Sequence, residues 1–501
     1  MSQTLKLGQP SNMFQDEYGH LINGEWVSSA SGEVIDMINP ATGEHLSKIQ
    51  SGNAADVQRA VAAAKAAFPA WSKSSASQRQ EILFEIASRL KARINDYAMM
   101  ETLDNGKPIR ESMFFDMPTA IGQFETFAGA AYTLQGETHA YEDALGIVHR
   151  EPIGVCAQII PWNVPMIMMA CKIAPALAAG CTVVLKPAET VCLSLMEFFK
   201  EMNDIIPAGV VNVITGYGPN IGEALVTHPD VRKVAFTGSR PTAQKIIQYA
   251  SQNIIPQTME LGGKSANIVC EDADLDAAVE GAAMSTILNK GEVCLAGSRL
   301  FLHDKIHDEF LDKLKGVLSG LRQGDPTDMA THIGPQASSM QYEKVQKYLD
   351  IGKNEGASVV VGGSKATGGI LDNGYFIQPT IFADVANDMT IARDEIFGPV
   401  TSAIRWKDEG DMLEQANNTV YGLAGGVWTR DISRAHRIAQ SLETGTVWIN
   451  RYYNLKPGMP LGGYKQSGFG REFGHEVLNH YTLTKSVVVN LQEGKIGAFD
   501  Q

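Results

Sequence analysis

The chain has 501 residues, 44% of them hydrophobic, enough to bury more than one core, and chains of this length usually divide into two or three domains. Its 42 Lys and Arg stand against 56 Asp and Glu, a formal charge of −14 that argues against a general nucleic-acid or anionic-membrane binder. Six cysteines (Cys156, Cys171, Cys181, Cys192, Cys270, Cys294) without a C-x-x-C pair, and no H-E-x-x-H, support neither a disulfide scaffold nor a zinc site, so no metal is expected and catalysis falls to side chains and an organic cofactor.

The opening "MSQTLKLGQPSNMFQDEYGH" carries no apolar run of signal-peptide length, and no later run reaches the about eighteen apolar residues of a membrane span. A soluble, cytoplasmic protein is expected. From "AADVQRAVAAAKAAF" through "RQEILFEIASRLKARINDYAMMETLDN", helical apolar spacing predicts two or three amphipathic helices. From "GVCAQIIPW" onward, short apolar strands ("CTVVLKP", "VVNVITG", "KVAFTGS") alternate with helical stretches such as "LSLMEFFKEMNDI". That alternation predicts a parallel α/β sheet with helices on both faces. A second alternation follows Cys294, through "IHDEFLDKLKGVLSGL", "ASVVVGG", "YGLAGGVWT" and "TGTVWIN", so two lobes with a cleft between them are expected. The closing "YTLTKSVVVNLQEG" reads as a strand without a neighbour in sequence, which invites pairing across subunits.

Several short stretches set chemistry-bearing residues at strand ends. "IIPWNVP" holds Asn163 between prolines that stiffen its backbone; alone, such an asparagine is more often a turn residue. "VVLKPAE" ends a strand with Lys186 and Glu189, where a carboxylate accepts hydrogen bonds from ribose hydroxyls, or the two simply form a solvated charge pair. "GYGPNIG" begins like a dinucleotide fingerprint, with three residues before its last glycine where the pattern has two, and is equally well a turn. "AFTGSRPTAQKI" places Gly238 and Ser239 ahead of a helix with Pro241 in its first turn, an N-terminus that offers free N–H groups to a pyrophosphate. "QTMELGGKS" sets Glu260 before two glycines, beside the plainer reading of a surface glutamate. "NKGEVCLAGSR" surrounds Cys294 with small residues that leave a thiol reachable, although an isolated cysteine is more often inert and packed.

Taken together and in order, "PWNVP", "KPAE", "FTGS", "MELGGKS", "NKGEVCLAGSR", "EIFGPV" and "LGGYKQSGFGRE" closely resemble the aldehyde dehydrogenase superfamily of non-phosphorylating, nicotinamide-dependent enzymes. The resemblance runs from about "LINGEWV" to "YTLTKSV". It implies an α/β fold of two Rossmann-like parallel-sheet lobes, one for the cofactor and one catalytic, with a small β oligomerisation arm. The NAD-binding domain would take 1–131 and 152–262, the catalytic domain 263–480, and the arm 132–151 and 481–501. A homodimer or homotetramer is implied.

By the same resemblance Cys294 is the nucleophile, and the oxyanion is held by the Asn163 amide with the Cys294 N–H. Glu260 is the base that activates water against the thioester, and Lys172 with Glu472 relays its proton. NAD is the implied cofactor, with NADP as a second choice. Its contacts fall on Ile160, Trp162, Asn163, Lys186, Glu189, Gly218, Gly238, Ser239, Leu261, Glu395 and Phe397. The chain departs from the family at Arg240, Pro241 and Ala243, where Thr-Glu and later a glycine are usual, which sets a cation near the cofactor phosphates. The substrate tunnel corresponds to Val164, Met168, Cys171, Leu288, Val293, Leu295, Tyr453, Leu455 and Leu461. Most are apolar and several are smaller than the aromatic residues common in relatives, notably Cys171 where a tryptophan is frequent, favouring a bulky neutral aldehyde, aromatic or medium-chain. Arg451 and Lys456 are the alternative, as anchors for a carboxylate-bearing semialdehyde. A non-catalytic binding relative and a coenzyme A-acylating one are the remaining alternatives; Cys294, Glu260 and Asn163 argue against the first, and Glu260 against the second.

Overall fold

Strands buried on both faces read as continuous apolar runs, and Val155–Ile159, Thr182–Lys186 and Val211–Val213 are buried at every position. In the computed structural model, which describes residues 13–495 together with 498 and 499, these strands lie parallel in an eight-stranded sheet. The parallel part runs, edge to edge, Gln257–Glu260, Val231–Thr237, Val155–Ile159, Thr182–Lys186, Val211–Val213. From Val155–Ile159 the chain winds one way to Thr182–Lys186 and later returns on the other side at Val231–Thr237. Strand order reverses there, and in such sheets the crevice outside the carboxyl ends at that point is where ligands bind. The hairpin His20–Ile22 and Glu25–Val27 closes one edge, and Gly468–Phe469 closes the other against Met259 and Glu260.

A seven-stranded second sheet follows, parallel except at the edge strand Ser358–Val361, with Ala266–Val269 and Arg299–His303 side by side near its centre. The fold is thus the expected pair of Rossmann-like lobes. The front stretch expected to hold two or three helices holds three, Ala54–Trp71, Ala76–Ala92 and Ile94–Asn105, and Met117–Ala130 follows them. Asn53 and Asp56 form a reciprocal cap on the first and Ser75 caps the second, satisfying N–H groups that a helix start leaves open.

The terminal strand Thr482–Asn490 pairs antiparallel with Ala144–Pro152 of its own chain, and Glu137–Ala140 completes a three-stranded sheet. Its partner lies more than three hundred residues upstream, beyond the reach of any local pattern. The catalytic segment also ends earlier than 480: Gly468–Phe469 rejoins the first sheet, and Phe473, Val477 and Tyr481 pack in the core of that lobe. Residues 1–12, 496, 497, 500 and 501, which the expected domains included, lie outside the described residues. Among the described residues, no helix is long and apolar enough to cross a membrane.

Candidate active site

The strands of the first sheet deliver their residues at the carboxyl ends. Val155–Ile159 runs into Ile160, Pro161, Trp162 and Asn163; Val231–Thr237 into Gly238 and Ser239; Gln257–Glu260 ends on Glu260 itself. Val164 precedes Pro165, the first residue of the helix Pro165–Ala179, and a residue before proline is steered out of the helical region; Val164 takes φ −141° and ψ 61°. The helix stops at Gly180 in the left-handed conformation.

A cleft with about 330 Å³ of solvent-accessible space lies between the lobes. From the first lobe its walls include Trp162, Asn163, Val164, Met168, Glu260 and Leu261, with Gly238 and Ser239. From the second come Leu288, Val293, Cys294 and Leu295, then Glu395 and Phe397, then Tyr453, Leu455 and Leu461. Cys294 is thereby reachable, half-buried on a turn, and does not belong to the packed cysteines. The two glycines after Glu260 are required by close approach: a Cβ on Gly262 would stand 2.1 Å from a Glu395 carboxylate oxygen, and one on Gly263 would stand 2.4 Å from the Cys294 carbonyl. The Gly263 N–H donates to Glu395 Oε1 at 3.0 Å, fixing that carboxylate at the cleft wall. Trp162 and Phe397 meet edge to face, ring centroids 5.4 Å apart.

Other expected residues lie outside the walls. Lys186 and Glu189 sit beside the crevice, paired at 3.1 Å, and Gly218 opens the helix Gly218–Val226. Ile160 is buried behind Pro161. Cys171 is the clear departure: expected in the tunnel, it is fully enclosed and absent from the cleft, because every residue of Pro165–Ala179 is buried and only the first turn, with Val164, Ile167 and Met168, reaches the opening. Arg451 and Lys456 are exposed and contribute no wall. Lys172 and Glu472 form a buried ion pair, close enough to act on Glu260 electrostatically.

Burial shapes the ionisation. It pushes the Cys294 thiol up to about 12, reinforced by the Glu395 and Glu260 carboxylates and opposed by the N–H groups of Cys294 and Leu295. The Glu260 carboxyl is raised well above its ordinary range, first by burial and then by Glu472, against the pull of Lys172 and Arg471. Asn163 is 4% exposed, and its side-chain amide donates to the Glu292 carbonyl at 2.8 Å.

Sequence reading missed Glu111, Phe115 and Asp116, which all line the cleft. They belong to "IRESMFFD", where Ile109–Glu111 passes into the π-helical turn Ser112–Asp116. The available signal was a pair of carboxylates five residues apart inside an otherwise helical run, a spacing that a π turn brings to one face.

Comparison with known proteins identifies the family. A family model described as the Aldehyde dehydrogenase family matches residues 26–487. The acetaldehyde dehydrogenase 2 of Cupriavidus necator is 43% identical over 507 residues, spanning 100% of each chain. An aldehyde dehydrogenase of Bacillus cereus, solved as an NAD+ complex, shares the fold with a TM-score of 0.93 at 41% identity, over 96% of this chain and 98% of that one. PnpE of a Pseudomonas, in complex with nicotinamide adenine dinucleotide, gives a TM-score of 0.95 at 40% identity, over 97% and 100%.

Proposed function

Because the chain belongs to the aldehyde dehydrogenase family, and is therefore an enzyme oxidising aldehydes with NAD, we propose that it converts a bulky neutral aldehyde, aromatic or medium-chain aliphatic, to the acid through Cys294 and Glu260. One observation carries this reading: Cys294 and Glu260, borne by different lobes, face a single, mostly apolar cleft beside Asn163.

The crevice fits the cofactor. Ser239 caps the helix Arg240–Ala250, leaving N–H groups at a helix start beside the switch point, the arrangement that suits a pyrophosphate. Glu189 would take the adenosine ribose, Gly218 border the adenine, and Glu395 with Phe397 hold the nicotinamide ribose. When bound, NAD supplies the hydride acceptor.

Cys294 Sγ forms a bond to the aldehyde carbon. Since burial keeps the thiol neutral at rest, its proton must leave as the bond forms, and Glu260 is the acceptor this chain offers. The Asn163 amide and the Cys294 N–H donate to the oxyanion, whose collapse expels hydride and leaves a thioester on Cys294. Glu260 passes that first proton on through Lys172 and Glu472, then draws a proton from water as its oxygen attacks the thioester, and returns it to the Cys294 sulfur as the carbon–sulfur bond breaks. The acid leaves and the thiol is restored.

NAD is expected to exceed NADP in kcat/KM by at least about tenfold, or about 1.4 kcal/mol, because a carboxylate at the ribose repels a 2′-phosphate. Arg240, the cation with the opposite influence, is engaged elsewhere: it donates to Gln466 at 3.0 Å and lies over the Tyr421 ring. Equal kcat/KM for the two cofactors would mean that Glu189 points away or that Arg240 swings to the phosphate.

Val164, at the cleft wall, tests the substrate class. Val164→Trp is expected to cut kcat/KM for phenylacetaldehyde at least about tenfold while leaving acetaldehyde little changed, since two carbons need not pass the added ring. A wild-type enzyme faster on small charged semialdehydes would defeat the bulky-substrate reading. The same change at enclosed Cys171 would overpack the core and lower stability by about 1–3 kcal/mol.

Six free cysteines suit a reducing, cytoplasmic setting. Exposed Leu483, Val487, Val488 and Val489 on the edge strand Thr482–Asn490 support association into a homodimer or homotetramer.

A further inference from the structure

The turn that leads to the nucleophile is held in an unusual shape. Asn289 (φ 47°), Lys290 (φ 59°) and Gly291 (φ 75°) are left-handed in succession, a conformation that side chains with a Cβ adopt only under constraint. Gly291 also lies so close to Gly398 that a Cβ would stand 2.2 Å from its carbonyl.

The constraints on the other two residues come from the front helices. The Asn289 N–H donates to Glu111 Oε2 at 2.6 Å. The Lys290 ammonium donates to the Asn105 carbonyl at 2.9 Å and to its side-chain oxygen at 2.5 Å.

The turn in turn grips the proposed oxyanion donor at two points. The Asn289 side-chain amide donates to the Asn163 backbone carbonyl at 2.8 Å and to the Glu292 carbonyl at 3.2 Å. The Asn163 side-chain amide donates one of its two N–H bonds to that same Glu292 carbonyl, which fixes the direction of the other. Asn289, Glu292 and Asn163 are all buried, so these bonds do not exchange with solvent at low cost.

We propose that Glu111 is a positioning residue for the reaction: by accepting the Asn289 N–H it maintains the left-handed turn that aims the free N–H of the Asn163 side chain at the oxyanion. This rests on the role proposed above for Asn163. The bond needs an acceptor and not a charge. Burial, with repulsion from Asp116, pushes Glu111 up to about 8 against the lowering Asn289 bond, so the carboxyl is mostly protonated at neutral pH. A glutamine oxygen can take the same place.

The test is the pre-steady-state rate of NADH formation, with NAD affinity measured alongside, in wild type, Glu111→Ala, Glu111→Gln, Asn163→Ala and the Glu111→Ala, Asn163→Ala double variant. Glu111→Ala is expected to slow the burst by about tenfold to a hundredfold with NAD affinity unchanged, the scale of a misaimed oxyanion donor. Glu111→Gln should recover to within about threefold, and with Asn163 already removed Glu111→Ala should add less than about threefold, since the two act through one donor. Asn289→Gly, which retains the left-handed backbone but loses the clamping amide, should slow the burst as Glu111→Ala does, and it serves if Glu111→Ala fails to fold. Multiplicative losses in the double variant, a Glu111→Gln enzyme as slow as Glu111→Ala, or a wild-type burst in Asn289→Gly would each overturn the proposal. A wild-type enzyme that forms no NADH from any aldehyde would instead defeat the proposed function.

Discussion

Cys294→Ala is expected to abolish aldehyde oxidation, to below about one per cent of wild type, while leaving NAD binding intact, because the thiol supplies the covalent bond on which every later step depends. Two structural facts make the outcome specific. Cys294 is half-buried on a turn, so loss of its sulfur removes little packing, and the residues assigned to the adenosine end of the cofactor, Lys186, Glu189 and Gly218, lie outside the cleft that contains it. Fluorescence titration with NAD should give the wild-type affinity, and the thermal midpoint should hardly move. Several per cent of residual turnover would remove Cys294 as nucleophile; lost NAD affinity would make the defect one of binding.

Glu260→Gln is expected to separate the two halves of the reaction. Its amide cannot take a proton from water, so NADH should appear in a burst near one equivalent per site and then stall, with steady turnover reduced about a hundredfold or more. The direction of the Glu260 shift adds a pH signature. A carboxyl raised above its ordinary value is protonated, and useless as a base, at low pH; the base form appears only as pH rises through the raised value. The wild-type deacylation rate should therefore climb with pH beyond the usual carboxylate range, and the climb should vanish in Glu260→Gln. If the variant turned over at the wild-type rate with no burst, the base would have to be sought elsewhere. Because Glu472 contributes to raising Glu260, Glu472→Gln should move that climb to lower pH.

How far the site could be read before folding depended on where each residue sits relative to a strand end. The strand ends at Asn163, Ser239 and Glu260 were legible because Pro, Gly and the end of an apolar run mark the carboxyl edge of a parallel strand, which faces the crevice in any doubly wound sheet, while the roles expected of these residues came only from the family resemblance. Cys171 was misread for a related reason. Its place in the tunnel came from the family resemblance alone, and Pro165–Ala179, buried on all sides, carries no amphipathic mark of which turn meets the opening. Glu111 was marked only by its spacing from Asp116, since its importance lies in an accepted bond from Asn289, 178 residues away in the chain.

By itself, then, the sequence determined the alternation of strands and helices and the two lobes. These depend on periodicity and on turn residues, which are local. Tertiary structure alone decided the bond of Glu111 to Asn289 that holds the left-handed turn before Cys294, and the return of Gly468–Phe469 to the first sheet. Each of these joins groups that are distant along the chain. Their free energy comes from burial and from the need to satisfy buried polar groups, and no pattern within a short window records which partner will be there.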